Sequence, residues 1–161
     1  MIFKKIILAL FALCVFWFPQ TAKAQYFFLD GGSFQNNSRI SSTSILSLEG
    51  EGKIFPQLFL GEHFRGGDRL MFGGLGFGMR TGTKGVFLEN TFGVAYLSHA
   101  TSRLGTHIQF RSAGFVVWAV NKDLQLRLGV QHLSNGGRFT GLHGPNSGET
   151  FITLGSSFSF K

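Results

Sequence analysis

Cysteine, proline and long apolar runs are all scarce in this chain. Cys14 is the single cysteine among 161 residues. No intramolecular disulfide can form, so an exported form is held by hydrogen bonds and packing alone. After residue 24 no stretch is apolar for the roughly 20 residues that a membrane-spanning helix needs. Heptads and a sustained 3.6-residue stripe are missing, which argues against a helical bundle. His63, His99, His107 and His143 are scattered without metal-ligand spacing, and no metal or cofactor is implied. Gly73-Gly74-Leu75-Gly76-Phe77-Gly78 has the wrong spacing for a dinucleotide fingerprint, and no helix follows it.

Glycine (23) and phenylalanine (20) are abundant. The first 24 residues read as a secretory signal peptide. Lys4 and Lys5 form the charged start, Ile6 to Phe18 the apolar stretch, and Ala22-Lys23-Ala24 a small-x-small cleavage site. Three of the 15 basic residues leave with the signal, so residues 25–161 carry 12 basic against 8 acidic residues. That mild excess suits a polyanionic surface such as phosphorylated lipid. No nucleic-acid motif accompanies it, so nucleic acid is not an expected partner.

The recurring pattern has period two, and turn chemistry separates its runs. Strands are expected near 26–35, 43–51, 53–63, 69–80, 85–98, 105–120, 123–134 and 149–160. Residues 49–53 read either as a tight turn or as a bend within one strand. In the fifth run Val86, Leu88, Phe92, Val94 and Tyr96 oppose Glu89, Thr91, Gly93 and Ala95. Eight strands of about ten residues, each with one apolar and one small or polar face, predict an all-β fold: an eight-stranded antiparallel transmembrane β-barrel. A lipocalin-like soluble barrel would use the same pattern with its apolar face inward, but the abundance of large apolar residues favours lipid outside. Glu89 and Arg127 fall on the expected inner face. They either pair across the lumen, as buried charges require, or are solvated near a barrel end. The chain ends on an aromatic strand residue, Phe160, followed by Lys161.

The seventh run poses a chemical question. Leu124, Leu126, Leu128 and Val130 share one face, and His132 and Ser134 continue it. Two polar groups thus stand on the oily side, roughly 7 Å apart along the strand. Near the end of a strand they lie where polar groups cost little. A histidine beside a serine can also take its proton during nucleophilic attack, and donors at Asn135, Gly136 and Gly137 can meet an oxyanion.

His132-Leu133-Ser134-Asn135-Gly136-Gly137, followed by Gly144-Pro145-Asn146-Ser147-Gly148-Glu149, resembles the lipid A 3-O-deacylase (PagL) family. That family's signature runs H-x-S-N-A-G and then P-N-x-G-x-E before a final strand. Phe87-Leu88-Glu89 and Leu104 to Phe115 look like the strands that precede it. The resemblance covers about residues 85–160. It implies an outer-membrane barrel that hydrolyses the 3-linked acyl ester of lipid A, with a Ser-His-acid triad on the outer wall. Ser134 is then the nucleophile, His132 the general base, and Asn135, Gly137 and Asn146 oxyanion or substrate-binding residues. Arg138 and His143 lie beside this site in the sequence, either meeting lipid A phosphates or solvated. A homodimer is a further expectation. The family's acid position falls on Thr150, with a glutamate one residue earlier. The acid is assigned to Glu149, which requires a bulge or a late strand start, because one residue reverses the face of a strand; otherwise the acid is missing.

Overall fold

The computed structural model describes residues 25–36, 39–83, 85–136 and 148–160. The expected signal, residues 1–24, lies outside them. Eight strands follow one another: β1 (Gln25–Asn36), β2 (Arg39–Glu49), β3 (Ile54–Arg65), β4 (Asp68–Thr83), β5 (Val86–Leu97), β6 (Ile108–Ala119), β7 (Leu124–Ser134) and β8 (Glu149–Phe160). Each pairs antiparallel with the next, and β8 pairs with β1 to close the barrel. Closure leaves no unpaired strand edge, the condition for placing a sheet in hydrocarbon.

The alternation seen in the sequence decides what faces where. Leu126, Leu128, Val130, Val116, Trp118, Ile152 and Leu154 are exposed on the outer wall, whereas Gln125, Arg127, Gln131 and Thr153 are buried. The apolar face points outward, which excludes the lipocalin-like arrangement. The interior is a charged network. Arg127 bonds Asp30, Glu49 (2.7 Å) and Glu89 (3.1 Å), and Arg80 bonds Glu49 (2.7 Å) and Glu89 (2.8 Å). Glu89 and Arg127 therefore pair across the lumen. Arg111 joins through Gln57, whose Oε1 accepts from Arg111 (2.7 Å) and whose Nε2 donates to Glu49 (2.8 Å). Ion pairs taken out of water are stable only when every charge is partnered. Ring faces supply further contacts: Arg127 lies 3.7 Å from the Phe28 centroid and 4.3 Å from that of Phe115.

Phenylalanine and glycine are abundant together because they interlock. A Cβ on Gly78 would fall 2.1 Å from Phe55 Cζ, and one on Gly61 would fall 2.4 Å from Phe72 Cζ. Inner-wall glycines of one strand thus make room for rings of its neighbour.

Two strand starts differ from expectation. β2 begins at Arg39, because main-chain pairing with β1 continues through a serine-rich stretch that has no apolar alternation. β6 begins at Ile108 rather than 105. Thr101 Oγ1 accepts from the N–H of Arg103 (3.3 Å) and of Leu104 (3.0 Å), and Gly105 has φ 61°. This turn holds residues 101–105 out of the ladder. Residues 50–53 form a tight turn between β2 and β3.

The strand termini Gln25 and Phe160 share one barrel end with residues 50–53, Gly85 and residues 120–123. The long connection 98–107, the end of β7 at Ser134 and the start of β8 at Glu149 lie at the other. Outer-membrane barrels turn tightly on the periplasmic side and carry longer loops outside, so the end bearing residues 98–107 is the outer mouth.

Candidate active site

β7 carries His132 and Ser134 to the outer mouth. Both continue the outward row of Leu126, Leu128 and Val130, and both are half-buried. Across the β6 ladder His132 faces Ser112 and Ser134 faces Phe110. Across the β8 ladder His132 faces Thr150 and Leu133 faces Glu149. Strand geometry sets the rest. Thr150 shares the outer face with His132, and its Oγ1 lies 2.8 Å from His132 Nδ1.

Glu149 is turned the other way. Its Oε1 lies 2.6 Å from Arg65 Nη1 and 2.7 Å from Arg103 Nε, and the residue is buried. The structure does not bring Glu149, the residue expected to supply the acid, to His132. The bulge that this assignment needed does not form. β8 is in register with β7 from its first residue, and two guanidinium groups inside the wall hold the carboxylate away from the outer face.

Asn135 follows Ser134 in the chain and takes the inward phase. It is fully buried, and its side-chain amide donates to the Leu104 carbonyl (3.4 Å). Gly136 follows with φ 69°. Gly137 and Asn146 lie outside the described residues, as do Arg138 and His143. Gly148, with φ 64°, packs directly on the catalytic candidate: a Cβ there would fall 2.5 Å from His132 Cε1.

Residues not singled out from the sequence surround this corner. Arg103, in the connection between β5 and β6, donates to the Gly148 carbonyl from Nη2 (3.0 Å) and Nε (3.3 Å). Arg65 and Arg103, with His63, Asp68 and Glu149, line a cavity of about 380 Å³ at the outer mouth. No periodic signal marks these residues, because their role depends on which loops the closed barrel brings together. The other described histidines make contacts within the scaffold. The His63 ring meets Phe151 edge-on at 4.9 Å, His107 stacks on Tyr96 at 5.5 Å, and His99 Nε2 lies 3.1 Å from Asp68 Oδ1. Among the described residues no three His, Cys, Asp or Glu side chains form a group able to hold a metal.

An apolar belt and a charged lumen define a small outer-membrane barrel, with a histidine–threonine pair on its lipid-facing wall. The family model for lipid A 3-O-deacylase (PagL) matches residues 22–159, and the chain belongs to that family. The crystal structure of the outer-membrane enzyme PagL superposes with TM-score 0.63 at 17% identity, covering 83% of this chain and 98% of that one. A de novo designed transmembrane β-barrel (TM-score 0.57, 11% identity, 86% and 97% covered) shares the fold. So does Neisserial surface protein A, NspA (TM-score 0.55, 11% identity, 85% and 96% covered). No curated protein matches the chain in sequence.

Proposed function

We propose that the chain removes the 3-position acyl chain of lipid A by serine-esterase chemistry at Ser134 and His132, with Thr150 as the third member. The observation that carries this reading is the 2.8 Å contact between His132 Nδ1 and Thr150 Oγ1, on the wall that Ser134 shares. If Nδ1–H donates to the threonine hydroxyl, Nε2 is left as the base. Ser134 Oγ then attacks the ester carbonyl as His132 takes its proton, and the imidazolium returns that proton to the leaving alkoxide. A water activated by the same imidazole releases the fatty acid. Oxyanion or substrate-binding roles are assigned to Asn135, Gly137 and Asn146. The Asn135 side-chain amide also donates to the Leu104 carbonyl (3.4 Å).

A threonine orients the imidazole but adds no negative charge beside the imidazolium. This reading therefore predicts a slower enzyme than one with a carboxylate at position 150. An outward site suits the substrate, since the acyl chains of lipid A lie against the outer wall and soluble esters do not. The expected homodimer belongs to the same reading, and cross-linking in intact outer membranes tests it.

The decisive measurement is the lipid A mass spectrum of cells expressing the chain. Loss of one 3-hydroxyacyl group, abolished by Ser134→Ala, supports the proposal. An unchanged spectrum with the barrel folded in the membrane would leave a non-enzymatic barrel.

A further inference from the structure

We infer that Arg103 is a positioning residue for this site, acting from inside the wall through the Gly148 carbonyl on His132 and Thr150. The inference rests on the function proposed above. Arg103 touches no reacting atom. It holds the corner from which β8 departs, donating twice to the Gly148 carbonyl (3.0 and 3.3 Å) and pairing with Glu149 Oε1 (2.7 Å). Gly148 lies against the His132 ring, and the residue after Glu149 is the partner of His132 Nδ1. One guanidinium therefore fixes both surfaces that orient the imidazole.

The loop that carries Arg103 grips the other end of the same connection. The carbonyl of the next residue, Leu104, accepts from the Asn135 amide (3.4 Å) and from Gln109 Nε2 (2.7 Å). Leu104 is itself fully buried. Arg103 and Leu104 thus clamp the chain where it leaves β7 after Ser134 and where it enters β8. Such a clamp matters more here than beside a carboxylate. A neutral hydroxyl gives the histidine a single modest hydrogen bond and leaves orientation to packing.

Arg65 supplies the control. It pairs with the same Glu149 oxygen at 2.6 Å but makes no bond to the Gly148 carbonyl. Loss of either arginine leaves Glu149 with one partner, so both variants are expected to fold. Only loss of Arg103 frees the corner. Displacing a catalytic group by about 1 Å can cost on the order of 100-fold in rate. Arg103→Ala is accordingly expected to lower kcat between about tenfold and 100-fold on lipid A in mixed micelles, with KM within about twofold, whereas Arg65→Ala stays within about threefold in kcat. Arg103→Lys and Arg65→Lys repeat the comparison if an alanine variant does not fold.

A second readout needs no turnover. In the full chain carrying Ser134→Ala, the ¹⁵N shifts of the His132 imidazole report its tautomer. One Nδ1–H tautomer is expected with Arg103 present, and a mixture in Arg103→Ala. Equal kcat losses for the two arginines, a loss confined to KM, or an unchanged tautomer would overturn the inference. Wild-type protein without deacylase activity would instead sink the proposed function, while the tautomer comparison would still decide what Arg103 does to the ring.

Discussion

Two ion clusters occupy the barrel, and they differ in access to water. In the lower one, the side chains of Arg127, Asp30, Glu49 and Glu89 are fully buried, and rings cover the guanidinium faces. In the upper one, Arg65 and Arg103 keep 19% and 30% of their side-chain surface exposed and border the mouth cavity around Glu149. The lower cluster plugs the lumen and holds opposite strands together. The upper cluster adds little cohesion, and its value lies in what it holds in place across the wall.

The sharpest way to break this contrast is Arg127→Met. It leaves Asp30, Glu49 and Glu89 with too little positive charge in a sealed interior, and breaking such a cluster costs about 3–5 kcal/mol. Urea unfolding followed by heat-dependent gel mobility should show that loss. A loss below about 1 kcal/mol would mean that water reaches the lower cluster too.

Thr150→Glu tests the outer wall. It places a carboxylate where His132 Nδ1 now meets a hydroxyl, and kcat is expected to rise about tenfold as the imidazolium gains a counter-charge. A fall in rate with the barrel intact would mean that Thr150 does more than stand in for an acid. Glu149→Gln comes next. As triad acid it would lose roughly 10⁴-fold in rate. Inside the wall, away from the reacting atoms, it should lose less than about tenfold in rate. Arg69→Ala removes the exposed Arg69–Glu62 pair (2.6 Å) and is expected to shift stability by no more than about 0.5 kcal/mol.

Much of the barrel was legible because two-residue alternation is a local property of the chain. The outward row ending in His132 and Ser134 followed from Leu124 to Val130 alone. The inner phase of Glu89 and Arg127 was readable too, but alternation alone left open whether they pair or are solvated near a barrel end. Asp30, Glu49 and Arg80 were not seen as their partners. Which strands face each other across a lumen depends on closure and stagger, and those arise only when β8 meets β1. The strand phase already set Thr150 among the outward residues and Glu149 among the inward ones. Assigning Glu149 to the site required a break in that phase, and the regular ladder shows none. Arg103 left no trace in the pattern. It lies in an irregular turn whose Thr101 contacts and positive-φ Gly105 suspend the alternation.

The plugged lumen has a further consequence for measurement. A barrel filled from wall to wall conducts no ions, so planar-bilayer recordings of the protein should be electrically silent. Under the proposed function, substrate reaches Ser134 by sliding in the plane of the leaflet. The rate should then follow the mole fraction of lipid A in the surface and fall as inert detergent or phospholipid dilutes it. At fixed surface composition, the total volume of the assay should matter little.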